Sequence, residues 1–143
     1  MAKSEFEALA TALYTKLTSG SDVWGARVYD QYVPAKANYP YIFMHKVGGG
    51  DTNTNLTSDP RIIYGIRCVS KSQTEAYDVQ KRIQELIDDQ GDYDTTTPLN
   101  AGDDWQIRTS QKTLAIVFVE DVDHATRVFH AGHQYIFMMQ SAE

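Results

Sequence analysis

The fold is decided by residues 61–71, RIIYGIRCVSK, whose side chains alternate in character along the chain. Successive side chains of a β-strand point to opposite faces of a sheet, so this segment carries two rows of side chains. The first row is apolar and contains Ile62, Tyr64, Ile66 and Cys68. The second row is mixed and contains Arg61, Ile63, Gly65, Arg67 and Val69. A strand with one apolar row predicts an antiparallel sheet that is covered on one side.

Before this strand, the chain opens with a predicted amphipathic helix. Ser4 precedes Glu7 by three residues, which is the spacing of a capping box. Residues 19–21, Ser-Gly-Ser, end the helical pattern after about four turns. Apolar residues recur at helical spacing between these limits, and we expect the larger ones to face the core: Phe6, Leu9, Leu13 and Leu17.

After the strand, a second helix is predicted by the same signals. Ser72 precedes Glu75 by three residues, and Gly91 is a suitable C-terminal stop. Its apolar stripe contains Ala76, Val79, Ile83, Leu86 and Ile87. A polar connection over residues 92–104 follows.

Four further segments predict strands. Residues 27–33 form a strand that Pro34 ends or confines to a sheet edge, and residues 41–47 form the next. Residues 105–119 are too long for one flat strand without a bend, and residues 121–123 predict a turn. Residues 126–140 form the last strand, with a bulge at residues 131–132.

These elements predict an α+β fold in the order α-β-β-β-α-β-β. Because each helix has a single apolar stripe, both helices are expected on one face of a mainly antiparallel, four- to five-stranded sheet. A length of 143 residues suits a single domain that spans residues 1–143.

The segment HKVGGGDTNTNLTSDP, residues 45–60, is predicted to contain a long mobile hairpin loop at about residues 48–60. It is unsuited to binding phosphate, because Asp51 and a strand follow the glycines where a phosphate loop needs Lys and a helix. Leu56 is the only apolar side chain between Gly48 and Asp59, so the loop lacks the residues to pack on its own core. We therefore expect it to contact another protein.

Tyrosines are frequent in this chain, and Tyr29, Tyr32, Tyr39 and Tyr41 cluster around the first two strands. Both the core and a protein interface suit this cluster, since Tyr offers a large contact area with few rotamers to freeze. Together with the loop, the expected interface residues are Gly48, Gly49, Gly50, Asp51, Asn53, Asn55, Leu56, Tyr32 and Tyr39.

No arrangement of residues indicates catalysis, a metal or a cofactor. The acidic run at Asp88, Asp89, Asp92 and Asp94 does not have the ligand spacing of a calcium loop and no Glu follows it, so a solvated helix end is the expected role. His130 and His133 lie three apart on a strand, so they should face opposite sides and cannot share a metal ion unless a bulge intervenes; surface or interface histidines are the expected role. Cys68 lies on the apolar row, where a small core residue is expected rather than a nucleophile.

Composition narrows the class of protein further. The net charge is −6 and no basic cluster is present, which disfavours binding to nucleic-acid phosphates or sequence-specific recognition of DNA. No apolar run approaches the ~20 residues of a membrane span, and the opening MAKSEFEALA lacks the apolar region of a secretory signal. The single Cys68 excludes an internal disulfide and fits a reducing compartment.

The order and wording of these segments resemble the tail-completion, or tail-terminator, proteins of long-tailed (siphovirus-type) bacteriophages and prophages. The resemblance spans residues 6–140 and rests on FEALATALYTKL, RVYDQYVP, YPYIFMHKV, RIIYGIRCVSKS and TEAYDVQKRIQELI, followed by two strands. The succession RVY, P, YPYI is the most characteristic part.

This resemblance implies a structural virion protein rather than an enzyme, with no cofactor and no reaction. Members form a ring, commonly a hexamer, that caps the finished tail tube, ends tail assembly and joins the tail to the head connector. The implied partners are further copies of the chain, the tail tube protein and the connector, and the implied location is the tail or neck of a virion assembled in host cytoplasm. An acidic channel lining would let DNA pass without adhering.

Two other functions fit the same sequence. The chain is suited to another structural position, as a head–tail adaptor or a neck or tube subunit. A small enzyme or ligand-binding domain that uses the Asp-rich loops is the remaining alternative.

Overall fold

The computed structural model describes residues 4–54, 57–88, 105–123 and 126–141. Its elements are α1 (Glu5–Thr18), β1 (Val28–Asp30), β2 (Tyr41–Thr54), β3 (Thr57–Ser70), α2 (Gln73–Ile87), β4 (Trp105–Asp123) and β5 (Thr126–Ser141). The predicted α+β class and element order are therefore confirmed. Among the described residues, no helix is long and apolar enough to cross a bilayer.

The strands form one five-stranded sheet in the order β1-β2-β3-β5-β4. β1 runs parallel to β2, and every other neighbouring pair is antiparallel. Both helices cover the same face of this sheet, because their apolar residues and one row of each central strand form a single buried cluster. The predicted two-layer packing is therefore confirmed.

The alternation that predicted the sheet also identifies the buried face. The apolar row of β3, from Ile62 to Cys68, is at most 3% exposed. β5 and β2 each contribute one row of alternating residues to the same buried face. These neighbours are Ile42, Met44, Tyr135, Phe137 and Met139. Burial of these side chains is the main driving force for the sheet–helix packing.

Both helices begin at the predicted serines. Ser4 Oγ accepts a hydrogen bond from the backbone N–H of Glu7, and Ser72 Oγ accepts one from Glu75. The Glu75 carboxylate does not return to its own cap; it accepts a hydrogen bond of 2.6 Å from the buried Ser70 hydroxyl. Such caps satisfy backbone donors that the first helical turn leaves without partners.

One of the four residues of α1 predicted to face the core does not do so. Phe6 was predicted to face the core, but it is 38% exposed and the Lys46 ammonium lies 4.1 Å from its ring centroid. Trp24 fills the core instead, and its indole N–H donates to the Leu17 carbonyl over 2.8 Å. The indole thereby satisfies a carbonyl in the last turn of the helix.

The prediction of a loop at residues 48–60 is wrong for the described part of that segment. β2 and β3 remain paired as far as Thr54 and Thr57, and residues 55–56 lie outside the described residues. The glycines permit close pairing rather than a turn, because a Cβ on Gly49 would stand 2.5 Å from the Arg61 carbonyl oxygen. A register shift at Lys46/Gly48 leaves Val47 as an extra residue, which is a β-bulge.

Three further features of the strands were predicted wrongly: the length of β1, the turn at residues 121–123 and the bulge at residues 131–132. β1 is only three residues long because Gln31 has a positive φ of 68° and leaves the extended conformation before Pro34 is reached. Residues 121–123 belong to β4 rather than to a turn. β5 pairs with β3 through residues 131–132 without a bulge, and the register shifts lie in β4 instead. The predicted helix stop at Gly91 lies outside the described residues; α2 ends at Ile87 with Asp88 as its cap.

Candidate functional site

The sheet face opposite the helices, here called the outer face, carries a cluster centred on Arg67. Its Nε–H donates to His130 Nδ1 over 3.0 Å, and its Nη1 lies 3.4 Å from His45 Nδ1. The guanidinium carbon is 4.6 Å from the Phe43 ring centroid and 5.5 Å from that of Phe118. A cation held over two ring faces is attracted by their quadrupoles, so this arrangement fixes the arginine to the sheet.

The outer-face cluster fits because two glycines leave room above the backbone. A Cβ on Gly65 would overlap the His45 ring, and a Cβ on Gly132 would overlap the Ile66 carbonyl and Arg67. Gly132 is therefore explained by close approach and not by the predicted bulge.

Hydrogen bonds define the tautomer of His130. Its Nδ1 accepts from Arg67, so the neutral ring carries its proton on Nε2, which lies 3.2 Å from Glu120 Oε1. Burial lowers the pKa of His130, the hydrogen bond to Glu120 opposes this, and the Arg67 charge lowers the pKa further. Burial and Arg67 also lower the pKa of His45. Both rings are therefore neutral at pH 7 and can accept from the guanidinium.

The tyrosine cluster lies beside these residues rather than in the core. Tyr41 packs edge-to-face against Tyr29, with 5.7 Å between ring centroids, and in a tilted arrangement against Tyr39, with 5.5 Å between centroids. Burial and then the neighbouring Tyr39 raise the pKa of Tyr41. Lys71 lies 5.3 Å from the Tyr39 centroid, while Tyr32 is 74% exposed.

The predicted interface residues divide into two separate places. Gly48, Gly49, Gly50, Asp51 and Asn53 lie in the part of β2 that approaches the hairpin end, whereas Asn55 and Leu56 lie outside the described residues. Tyr32 and Tyr39 belong to the connection before the opposite end of β2. About ten strand residues at ~3.3 Å each separate the two places, so the structure does not bring them together.

Residues 51–54 and 57–60, here called the hairpin arm, lie beyond the point where β3 stops pairing with β5. They pair with each other, whereas β3 begins to pair with β5 only at Arg61. The arm thus has the two-stranded form of a hairpin, with no third strand paired to it in the described part of the chain. Such a hairpin is marginal alone and gains stability from a further surface.

The other conspicuous surface is the outer edge of β4, here called its free edge because no described strand pairs with it; it was not predicted from the sequence. Five large apolar side chains are exposed between residues 114 and 122, and each is at least 43% exposed. They are Leu114, Val117, Phe118, Val119 and Val122. The signal was present in the run LAIVFVEDV, which lacks the polar alternation of a strand with one solvated face.

The described residues contain no group of histidines, cysteines and carboxylates placed to hold a metal ion. His130 and His133 face opposite sides as predicted, since His133 meets Gln80 of α2 at 3.0 Å. Cys68 is fully buried, and burial raises the pKa of its thiol to about 12, which suppresses the thiolate.

A groove of about 430 Å³ lies between Trp24 and α2. Arg82 and Asp22 line this groove and form an ion pair with each other, so these charges already have partners.

Comparison with known proteins gives a structural match. A chain from the virion of a native gene transfer agent (GTA) particle superposes with a TM-score of 0.71, covering 97% of this chain and 99% of that one. The two chains share a fold. Their sequences are 13% identical, so the likeness establishes architecture and nothing finer. No family model and no curated protein matches the sequence.

Proposed function

We propose that this chain is a structural subunit of a phage-like particle, and specifically a tail terminator. In this role several copies, in a hexameric ring, cap the tail tube, end tail assembly and join the tail to the head connector. The proposal rests on the fold shared with a gene transfer agent virion protein over nearly the full length of both chains. The sequence resemblance to tail terminators leads independently to the same class of particle.

The surfaces described above support binding to proteins rather than a reaction. An exposed apolar strand edge, a two-stranded hairpin arm and an aromatic outer face are features that protein partners cover. The titratable groups of the outer face are engaged with one another, as the hydrogen bonds from Arg67 to His130 and from His130 to Glu120 illustrate. A subunit that functions by assembling with other proteins needs binding surfaces of this kind rather than reactive groups.

The net charge of −6 supports a position beside moving DNA. A ring of such subunits carries a negative field, and like charge between the ring and the phosphates lowers the tendency of DNA to adhere. The proposed partners are accordingly protein surfaces: neighbouring copies, the tail tube protein and the head connector. The proposed location is the tail or neck.

Particles that contain the chain provide the test, because position separates a terminator from an adaptor or a tube subunit. Antibody labelling and quantitative mass spectrometry should place one ring per particle at the head-proximal end of the tail. Particles assembled without the chain should have tails of uncontrolled length and heads without tails. Label along the whole tube, or normal tails in its absence, would refute the terminator role.

A head–tail adaptor remains the second candidate because it too binds neighbouring subunits and lets DNA pass. The same particles distinguish it from a terminator. Loss of an adaptor leaves tails of normal length that fail to join heads, whereas loss of a terminator changes tail length itself.

A further inference from the structure

The free edge of β4 is protected over only part of its length. In the first half, two register shifts interrupt the pairing with β5, between Ile107 and Thr109 and between Lys112 and Ala115. The backbone N–H of Lys112 is also occupied, since it donates to Asp88 Oδ1 over 2.9 Å. Bulges and capped donors are the devices with which proteins prevent edge strands from pairing with other chains.

The stretch from Ala115 to Asp121 lacks these devices, since the third register shift of β4 lies beyond it, between Asp121 and Asp123. From Ala115 to Asp121 the pairing with β5 is regular, so the outer backbone groups form an even row of donors and acceptors. Residues 114–119 contain no proline and no charge, and Val117 and Val119 are 58% and 55% exposed. An edge that is long, regular and apolar is a template for another strand.

The same chain offers a second open edge on the opposite side of the sheet. β1 covers β2 only at Ile42–Met44, and Gln31 ends β1 with a positive φ. Beyond the hydrogen bond from Gln31 N–H to the Met44 carbonyl, no described segment pairs with the outer side of β2. Residues 45–54 therefore present an unpaired edge of comparable length.

We propose that neighbouring copies join these two edges, with residues 115–121 of β4 pairing against residues 45–54 of β2 in the next subunit. The occupant is a second copy because the chain itself supplies both halves of the contact. Two different surfaces meet, so the contact is heterologous and repeats around a ring instead of closing as a dimer. The proposal deepens the ring of the proposed function by naming its joint.

The direction of pairing follows from the topology. β4 is antiparallel to β5, β5 to β3, and β3 to β2, so β4 and β2 run in opposite directions within one sheet. Subunits that stand side by side therefore join as an antiparallel pair. This alignment brings the acidic end of the exposed segment, Glu120 and Asp121, towards the Lys46 end of β2, where opposite charges meet.

Disulfide trapping tests this joint, because the natural thiol of Cys68 is fully buried and does not interfere. The variants are Val117→Cys and Val119→Cys on one edge, and Val47→Cys and Gly48→Cys on the other. A Cβ at Gly48 has open space around it, so this substitution is tolerated sterically. Disulfides require Cβ atoms about 3.5–4.5 Å apart, and the four pairings between the two edges sample neighbouring registers.

A heterologous joint gives a specific pattern in concentrated protein under oxidation. Each single variant alone should stay uncross-linked, a mixture of one variant from each edge should give dimers, and a double variant should give a ladder of higher species. Dimers from Val117→Cys or Val119→Cys alone would indicate pairing of β4 with itself and would overturn the proposal. Absence of cross-links in every combination would overturn it equally.

A charge at the edge provides the matched control. In the Val119→Cys, Val47→Cys background, Val117→Lys should reduce the ladder by roughly tenfold, because lysine blocks edge pairing. Val23→Lys should leave it unchanged, since Val23 is 56% exposed, close to the 58% of Val117, but belongs to the connection between α1 and β1 rather than to either paired edge. Equal ladders in both variants would refute the joint. Position in the particle is measured separately, so failure here leaves the terminator role standing and the reverse also holds.

Discussion

Arg67 is the residue that organises the outer face. It shares one guanidinium between the imidazoles of His45 and His130 and the rings of Phe43 and Phe118. Burial of the side chain lowers the pKa of Arg67, while the nearby Tyr41 and Glu120 oppose that shift. Because the imidazoles must accept from a permanent cation, the cluster requires both rings to be neutral.

This requirement gives a pH dependence of stability. Burial lowers the pKa of His45, His130 and His133 below the value of ~6.5 expected in the unfolded chain. Between the folded and unfolded pKa values the unfolded chain binds more protons, so stability rises with pH. We expect the urea midpoint to fall as pH is lowered from about 7.5 to 5.5, with the loss concentrated below pH ~6.5.

The variant His130→Gln is the control for this pH effect. Its amide oxygen can accept from Arg67 and its amide N–H can donate to Glu120, so the two hydrogen bonds of the neutral ring are retained without a titrating group, while the stacking on Phe118 is lost. The variant should show a shallower pH slope than the natural chain. A natural chain whose midpoint is constant or rises on acidification would contradict the assignment of neutral rings.

Residue-scale prediction from the sequence succeeded where one strand decides the outcome. Alternation alone placed Cys68 in the core and placed His130 and His133 on opposite faces. It did not reveal that Arg67 would meet His130, because these residues are 63 positions apart in the sequence and only strand pairing brings them together. The role of Gly132 was missed for the same reason, since its neighbour across the sheet is Arg67.

At the scale of elements, the hairpin arm differs from the strands that it extends, because it is not paired with the rest of the sheet. Its residues pair only within the arm, so the rest of the sheet does not depend on them. A segment of this kind contributes little to the stability of the isolated subunit. Its expected contribution is to contacts with a neighbour or with the tail tube.

Shortening the arm separates folding from assembly. Replacing residues 53–58 with Asn-Gly leaves a two-residue turn closed by the existing pair of Thr52 and Asp59. The free energy of unfolding should change by no more than about 0.5 kcal/mol, as for changes remote from the core. Ring formation or binding to tail tubes, measured by sedimentation, should weaken. Unchanged assembly would refute an interface role for the arm.

Helices were predicted closely because their signals are local. Ser4 and Ser72 cap the helices, and the apolar stripes face the core apart from Phe6, as the spacing indicated. Strand limits depend on partner strands, so the sequence did not predict that β2 continues through its glycines as far as Thr54. The free edge of β4 was missed because exposure of an apolar run is known only once the sheet order is known.

At the scale of the whole molecule, one sheet links the two halves of the sequence. β5 lies between β3 and β4, so a late strand is inserted beside an early one and the core includes residues from both ends of the chain. This arrangement leads us to propose that residues 1–143 unfold as a single domain.

Tryptophan fluorescence tests that cooperativity. Trp24 is 1% exposed beside α1, and Trp105 opens β4 at the sheet edge. In a Trp105→Phe variant the fluorescence reports Trp24 alone. Its urea transition should coincide with the transition followed by far-UV circular dichroism, since coincidence of probes is the signature of two-state unfolding. Separate midpoints would show that the chain contains independently unfolding parts.

The two long hairpins close at opposite ends of the sheet, the first after the pair of Thr54 and Thr57 and the second after the pair of Asp123 and Thr126. Copies joined side by side would therefore give an annulus with two unlike rims. One rim would display the threonine- and asparagine-rich hairpin, and the other would display the end of β4 with Glu120 and Asp121. Such an object has an intrinsic polarity, which a coupling between two dissimilar structures requires.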